Sequence, residues 1–409
     1  MSLKSREKTT LFWLVITQIL QEPIFVLYNF SVIILRKHFG VNAFLIGAFV
    51  SLKPVVSILS FYWSSYLTKR PGSLKSNFFW AKILGLSPFL FFPLFVHPLY
   101  FLFASVNYIL FYRAAKPAWF EILRMNTTKA RKKTAFGWAF ALAYLEGMFL
   151  AWMFGRVLDD DQNGIWPYLF VLGSLIGFIN LYFLYKLPMI FTEKAGESLK
   201  ISLKQWLIHP WTHTKELMQR REDFAKFQWG FMLCGIGIMS IQPVLPFLMV
   251  DVLDISYVSF GLAHTSWKGI CIVLSSPIWS YFLKKCSIFQ VASWVFFFVG
   301  LFPLLLLFSP QNILWFYAAY VFYGIAQGGS HLIWNLSGPI FSGEEKSSSY
   351  TATNVMMIGI RGAFAPTLGA LITRLYGPFV TLGFGCFFCW LGALYIFPQK
   401  ERLFLRLES

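Results

Sequence analysis

Seven ionisable side chains stand inside strongly apolar stretches of the sequence. The five basic ones outnumber the two acidic ones: Lys53, Arg113, Lys116, Lys268 and Arg361, against Glu22 and Glu146. A charge in hydrocarbon is costly, so such a residue usually has a partner or a function. A surplus of positive charge in a poorly screened space attracts an anion. Lys116 is close enough to a helix end to reach water. The other four basic residues are the predicted anion ligands: Arg361, Arg113, Lys53 and Lys268.

The two acidic residues suggest proton chemistry. A desolvated carboxyl group binds a proton more readily, so Glu22 and Glu146 are the predicted proton-coupling residues. Pro23 follows Glu22 directly, and its missing N–H can open or kink a helix at that point. Two structural alternatives stay open. Arg113 and Glu146 could form an ion pair that only holds two helices together, and Glu22 could be hydrogen-bonded without titrating.

The elements that hold these residues are membrane spans. Of the 409 residues, 57% are apolar and 13% are charged, whereas a soluble domain has about a quarter of its residues charged. Twelve crossings at about 20 residues each would account for the apolar content. We predict spans near 11–35, 44–68, 78–96, 98–120, 137–158, 165–187, 225–250, 256–283, 289–308, 313–342, 350–374 and 377–397.

The basic residues outside the spans predict the orientation. The loops on the side of the N-terminus hold 25 Lys and Arg residues and the opposite loops hold 4. Because cytoplasmic loops are enriched in Lys and Arg, both termini are predicted to be cytoplasmic in a multi-pass cell membrane protein, which is the inner membrane in a Gram-negative bacterium. The net charge of +17 is therefore explained by topology and not by nucleic acid, which is excluded as a partner.

The sequence also contains an internal repeat at an offset of 215 residues. Residues 45–70 align with 260–285 without a gap and are identical at 8 of 26 positions, which include Lys53 and Lys268. An even number of spans per copy predicts parallel repeats with a cleft between them. The same offset pairs Trp119 with Trp334. Aromatic and polar residues at matched positions are predicted to line the cleft and contact solute: Trp119, His331, Trp334 and Asn335.

Span count, repeat and loop lengths together resemble the major facilitator superfamily. That family usually has G-x-L-x-D-R-x-G-R between its second and third helices, and the matching stretch here is residues 65–73. Leu67, Arg70 and Gly72 fit the motif, whereas Ser65, Lys69 and Ser73 depart from it: the motif Asp is missing at Lys69. The resemblance implies an all-α membrane protein with twelve transmembrane helices in two parallel six-helix repeats. It also implies secondary active transport by alternating access.

Three domains are predicted. Residues 1–187 form the N-terminal six-helix bundle, 188–224 a cytoplasmic linker, and 225–409 the C-terminal bundle with a short tail. In the linker, residues 199–208 alternate apolar and basic side chains, which is typical of an amphipathic helix lying in the membrane interface. A plain solvated linker is the alternative.

We predict a transporter of a small organic solute, anionic or zwitterionic, with protons or a counter-solute as the driving partner and membrane lipid as its surroundings. One alternative is a proton-driven exporter of amphipathic or cationic compounds, which the 20% aromatic content favours. Another is a sensor or scaffold on the same fold that does not transport.

Enzymatic chemistry is not predicted. The sequence has no phosphate-binding loop, nucleophile elbow or zinc-protease motif. Cys386 and Cys389 have C-x-x-C spacing but lie within the last apolar run, without a second pair, and His209 and His213 lack an acidic or thiol partner at motif distance. We therefore expect no catalytic residues, no metal site and no cofactor.

Overall fold

A computed structural model describes residues 3–68, 74–126, 129–161, 164–186, 203–343 and 347–400. Within these ranges the chain is helical and has no strand. The first half contains α1 (Leu3–Ile19), α2 (Glu22–Lys37), α3 (Ala43–Thr68), α4 (Leu74–Leu86), α5 (Pro98–Asn126), α6 (Lys129–Asp159) and α7 (Trp166–Tyr185). The predicted linker between 188 and 202, loop-motif residues 69–73 and the tail from 401 lie outside the described residues.

The second half begins with a helix that was part of the predicted linker. Its helices are α8 (Leu203–Arg220), α9 (Glu222–Ser240), α10 (Leu245–Phe247), α11 (Tyr257–Gly261), α12 (Lys268–Lys285), α13 (Ile288–Phe308), α14 (Ile313–Ser342), α15 (Ser347–Tyr376) and α16 (Pro378–Ile396). π-Helical turns at Leu248–Val252 and Leu262–Trp267 continue α10 and join α11 to α12. Each of the twelve predicted spans corresponds to one helix or to one interrupted helix.

Six helical segments of the described chain are long and apolar enough to cross a membrane by length and composition alone. They are Thr9–Lys37, Trp166–Phe183, Glu222–Val252, Ile288–Phe308, Ser349–Tyr376 and Pro378–Ile396. Others, such as α5, α6 and α12, carry more charged residues. Composition alone therefore under-counts the spans, whereas the spacing of the polar breaks and the repeat predict the helices correctly.

Local sequence accounts for where the helices begin. Asn42 accepts a hydrogen bond from the Leu45 N–H at 2.9 Å in front of α3. Ser287 forms a reciprocal capping box with Gln290 at the start of α13. Gly377, with φ of 87°, allows the left-handed turn that separates α15 from α16.

The first predicted span is broken, as the Glu22–Pro23 pair suggested. α1 ends at Ile19 and α2 begins at Glu22, with Leu20 and Gln21 in a turn between them. Pro23 lies in the first turn of α2, where a missing N–H costs least. The break places the Glu22 carboxyl group at the start of a new helix, next to backbone that is not part of a continuous helical ladder.

The described chain forms two compact units. Unit 1 consists of α1, α2, the part of the chain from Val56 through α7, and the segment Ser256–Leu262. Its core is built on aromatic side chains that stack at centroid distances of 5.1 to 5.7 Å around Phe92: Phe89, Phe92, Phe101, Trp166 and Phe170. Such edge-to-face packing adds to the burial of apolar area.

Unit 2 consists of the segment Val41–Val55, α8 to α10, and the chain from Ala263 onward. Its core lies among α9, α13, α14 and α16 and contains fully buried Phe224, Phe289 and Tyr350. α9 packs closely on α15 and α16 because glycines replace larger residues at the contacts. A Cβ at Gly369 would collide with the Ser240 carbonyl group, and one at Gly237 would lie 2.8 Å from the Cys389 sulfur.

Each unit thus contains one short segment from the opposite half of the sequence. Val41–Val55 belongs to unit 2, and Ser256–Leu262 belongs to unit 1. The repeat offset of 215 carries residue 41 onto residue 256, so the two exchanged segments begin at equivalent positions of the two copies.

Candidate functional site

The two predicted proton-coupling residues lie together in unit 1. The Glu22 and Glu146 carboxyl groups are close enough to interact electrostatically. The Glu22 carboxylate lies against the backbone of α6, since a Cβ at Gly147 would be 2.9 Å from Glu22 Oε1. Among the described residues, Glu146 Oε2 is buried without a hydrogen-bond partner. A pair of like-charged, partly buried carboxyl groups is readily stabilised by a shared proton.

Tyrosine side chains surround the predicted anion ligand Arg113, which lies on α5. Tyr28 and Tyr112 are within electrostatic reach of its guanidinium group. Tyr28 contacts Tyr108 at a centroid distance of 5.3 Å, and Phe25 stacks on Tyr112 at 5.8 Å. Arg113 itself is exposed at the surface of the unit. This part of unit 1 therefore combines aromatic rings with the exposed guanidinium group of Arg113.

The prediction missed a buried lysine in unit 1. Lys82 is only 9% exposed, and its ammonium group donates to Gln21 Oε1 in the turn between α1 and α2. The sequence places Lys82 near a helix end, where a lysine usually reaches water. The structure instead uses it to satisfy a polar side chain at the helix break, one residue before Glu22.

The main basic cluster lies in unit 2. Lys268 Nζ is 3.0 Å from His264 Nε2 across the π-helical turn that joins α11 to α12. Lys53 is within electrostatic reach of His264, and His331 is within reach of Lys268. We name these four residues the basic cluster: Lys53, His264, Lys268 and His331. The repeat-related lysines of the two halves therefore lie in one unit, beside the same imidazole.

The neighbouring backbone holds the basic cluster in position. Gly324 in α14 lies directly against the Lys268 backbone, where a Cβ would collide with the Lys268 carbonyl group. Trp279 Nε1 and Ser275 Oγ donate to the Ile325 carbonyl at 2.7 and 3.3 Å. The glycine-rich stretch of α14 therefore permits the close helix approach predicted for it. Lys53 Nζ lies 4.7 Å from the centre of the Phe49 ring, a cation–π distance.

Arg361 takes a different position from the other basic residues. It is 6% exposed, and its guanidinium group lies over the Phe231 ring at 4.3 Å and donates to the Phe231 carbonyl. A Cβ at Gly235 would overlap this guanidinium group. Arg361 Nε has no hydrogen-bond partner among the described residues. The residue is thus packed on α9 with one donor unused.

The predicted aromatic and polar residues of α14 are partly accessible. Trp334 stacks on Phe231 at 5.7 Å and so lies in the same aromatic layer as Arg361. His331 and Asn335 are exposed, and the Asn335 amide donates to the His331 carbonyl at 2.8 Å. Trp119 belongs to α5, but its side chain lies outside the described residues.

A second buried polar network in unit 2 was not predicted. The Gln228 amide donates to Asn354 Oδ1, and the Asn354 amide donates to Ser337 Oγ at 2.8 Å. The three residues lie on α9, α15 and α14 and are at most 1% exposed. In the sequence, Gln228 and Asn354 are only two polar residues within separate apolar runs, and nothing in the sequence indicates that they are in contact.

The pKa of His38, a described residue outside the predicted spans, is shifted. Burial lowers the pKa of His38, which follows the last turn of α2, while the nearby Asp161 opposes the shift and Lys37 adds to it. The described residues contain no group of three His, Cys, Asp or Glu side chains that could hold a metal ion.

Twelve predicted helical spans, a glycine-rich interior and charged groups held within the helices define a multi-pass membrane transporter. The sequence profile of the Major Facilitator Superfamily matches residues 14–366. The chain belongs to the Major Facilitator Superfamily, a family of transporters and not of enzymes. The resemblance based on span count, repeat and loop lengths is therefore confirmed.

Solved structures support the same fold. A transporter of the POT family in complex with 5-aminolevulinic acid superposes with a TM-score of 0.77 at 12% identity, covering 96% of each chain. The nucleoside transporter NupG gives 0.69 at 13% identity, covering 97% of this chain and 99% of that one. A bacterial homolog of the human lysosomal transporter Spinster gives 0.68 at 11% identity and covers 99% of both chains. A search of curated protein sequences finds no significant match.

Proposed function

We propose that this protein is a secondary active transporter that moves a small organic anion or zwitterion across the cell membrane by alternating access. The observation that carries the proposal is the basic cluster, in which two lysines and two histidines from different helices lie together in one unit. Like charges held together inside a membrane protein need a compensating anion. The exposure of His331 supports a solute as the bound anion.

Arg361 and Arg113 are further proposed solute contacts. The unused Nε of Arg361 is a donor that an anionic group could take up. Trp334, Asn335 and Trp119 are proposed to contact the uncharged part of the solute. The solved structures of similar fold include nucleoside and peptide transporters, which supports a small polar organic molecule as the solute class.

We also propose that Glu22 and Glu146 couple transport to protons. The two carboxyl groups are near each other, and one of their oxygens has no partner among the described residues.

An excess of basic loop residues supports cytoplasmic termini.

Uptake by the purified full chain in proteoliposomes tests the anion proposal. A panel of organic anions, zwitterions, nucleosides and sugars identifies the solute, and then Lys53→Gln and Lys268→Gln are compared with Lys285→Gln. Lys285 is a surface lysine of the same unit, beside Tyr281. Hydrogen bonds to charged groups contribute about 1.5–3 kcal/mol, so we expect KM to rise roughly tenfold to a hundredfold for the cluster variants only. Equal uptake by all three variants would refute the anion site.

The proton proposal has its own measurement. Uptake by the unaltered chain should respond to an imposed pH gradient, and Glu22→Gln and Glu146→Gln should lose that response while solute exchange continues. Asp160→Asn, which changes an exposed carboxyl group outside the spans, serves as the control. If Glu22→Gln responds to the gradient as the unaltered chain does, Glu22 does not carry the coupled proton.

A second candidate is a proton-driven exporter of amphipathic or cationic compounds. The acidic pair and the aromatic group around Tyr28 and Tyr108 in unit 1 favour it. In that case lipophilic cations, and not anions, should stabilise the purified chain against heat, and Glu146→Gln should abolish the effect. Stabilisation by a solute without uptake or exchange would instead indicate a sensor on the same fold.

A further inference from the structure

An open groove in unit 2 lies between helix α8 and the spans α9 and α15. Its volume is about 680 Å³. Nearly all of its wall is apolar, and among the described residues that line it Lys215 is the one that carries a charge. The groove wall includes Trp211, Lys215, Trp229, Met232, Ile236 and Phe364. None of them belongs to the basic cluster or to the carboxyl pair.

The groove opens away from the core of the unit. Trp229, Leu233 and Ile236 follow the spacing of one helical face and line the groove. Phe227, Phe231 and Cys234 lie on the opposite face of α9 and are buried in the core of unit 2. At the edges of the groove, Trp211 and Trp229 are 48% and 52% exposed. An apolar surface of this kind on a membrane protein is suited to lipid.

The length of the groove corresponds to one leaflet. Along α9 its wall runs from Ala225 to Ile236, and these two residues are separated by 11 steps of 1.5 Å, or about 17 Å. Half of a hydrocarbon core of about 30 Å is roughly 15 Å. A groove of this length accommodates an acyl chain that starts at the interface and ends near the middle of the bilayer.

The α8 end of the groove is polar and basic. Thr214 and Leu217 of α8 are buried against the unit, and Thr214 Oγ1 is 3.4 Å from Thr353 Oγ1. Because Thr214 and Leu217 face the unit, Lys215 is exposed at the groove. Gln219 lies one helical turn after Lys215 and also lines the groove. An ammonium group at the interface end of an apolar groove, next to tryptophan, complements a phosphate group above an acyl chain.

We propose that this groove binds an anionic phospholipid of the leaflet at which α8 lies, with one acyl chain between α9 and α15 and the phosphate on Lys215. The bound lipid ties the interfacial helix to the two spans. The site is independent of the transported solute, so its test does not depend on uptake.

Native mass spectrometry of the purified full chain tests the proposal, with phosphatidylglycerol and phosphatidylcholine added to delipidated protein. Lys215→Gln removes the charge, and Ile236→Trp fills the groove. The matched controls are Lys285→Gln and Leu274→Trp, which change an exposed lysine and a 66% exposed leucine elsewhere in the same unit. Thermal unfolding in detergent confirms that every variant is folded.

The unaltered chain should bind phosphatidylglycerol more tightly than phosphatidylcholine. Lys215→Gln should weaken phosphatidylglycerol binding about fivefold, the effect of one basic residue near an anionic lipid surface, and leave phosphatidylcholine unchanged. Ile236→Trp should reduce binding of both lipids, and the controls should resemble the unaltered chain. Equal affinity for the two lipids in the unaltered chain, or unchanged binding by Ile236→Trp, would overturn the proposal. The proposal would also be overturned if the mass spectra showed that a different apolar molecule, or a second copy of the protein, occupies the groove.

Discussion

A single glycine decides how one of the deepest charges in unit 2 is held. The Arg361 guanidinium group occupies the volume that a Cβ at Gly235 would take, over the face of Phe231. The pairing of a glycine on α9 with an arginine on α15 is invisible in the sequence, because the two residues are 126 positions apart. Gly235 is therefore as necessary to the position of Arg361 as any hydrogen-bond partner.

Gly235→Ala should displace the guanidinium group while keeping its charge. A methyl group forced into a packed interior typically costs about 1–3 kcal/mol, so the midpoint of thermal unfolding in detergent should fall. Gly383→Ala is the matched control, because a Cβ at Gly383 meets nothing within 4 Å. Alanine is the better helix former, so this control should be neutral or slightly stabilised. Equal midpoints for the two variants would show that Arg361 does not depend on Gly235.

Candidate site residues could be selected from the sequence where a charge interrupts an apolar run. Glu22 with Glu146, and Lys53 with Lys268, were chosen for that reason, and the structure brings each pair into electrostatic contact or beside a common histidine. Lys82 was not predicted, because its burial depends on Gln21 of another helix. Side-chain partners across helices depend on rotation and depth, which a hydropathy pattern does not contain.

At the scale of elements, the helix that begins at Tyr257 has its first amide groups satisfied from outside the helix. Asp159 at the end of α6 accepts from the Tyr257 and Val258 amides at 2.7 and 3.0 Å, and Ser256 accepts from Ser259. A Cβ at Gly155 would lie 2.9 Å from the Val258 nitrogen, so glycine permits the approach of the two helices. A negative charge at a helix start also complements the helix dipole.

Asp159→Asn should weaken this cap. Asparagine keeps one acceptor oxygen but loses the negative charge, which contributes about 0.3–1 kcal/mol at a helix start, so thermal unfolding should begin at a slightly lower temperature. Hydrogen exchange of the amides from Tyr257 to Phe260 should be faster, since these are the groups that Asp159 and Ser256 cover. Asp160→Asn removes the same charge one residue later, where the side chain is exposed, and should leave exchange unchanged. Identical exchange in both variants would contradict the capping role.

At the scale of the whole molecule, the repeat was the strongest sequence signal. It predicted two parallel copies of a helical unit, and the family match and the superpositions confirm the fold that it implied. It could not predict that Lys53 would belong to the unit built mainly from the second half. A sequence repeat shows that two segments are equivalent. It does not show which helices each segment packs against, because that depends on tertiary packing.

The shared location of the repeat-related lysines leads to a test of coupling. If Lys53 and Lys268 hold one anion, the double substitution to Gln should weaken solute binding by less than the product of the single effects. Neighbouring charged groups commonly show coupling of about 0.5–3 kcal/mol. Calorimetric titration with the identified solute measures the binding affinity of each single and double variant in this double-mutant cycle. Lys53→Gln combined with Lys285→Gln is the control pair, whose effects should be independent. Fully multiplicative effects for Lys53 and Lys268 would mean that they act separately.

The exchanged segments bear on how the protein is made. Asp159 is synthesised nearly a hundred residues before the Tyr257 and Val258 amides that it binds. When the ribosome has completed the first six spans, the segment Ser256–Leu262 of unit 1 has not yet been synthesised. The helices of unit 2 against which Val41–Val55 packs have not been translated either. We therefore expect the Asp159 cap, and with it the contacts of Ser256–Leu262 in unit 1, to form only after α11 has been synthesised.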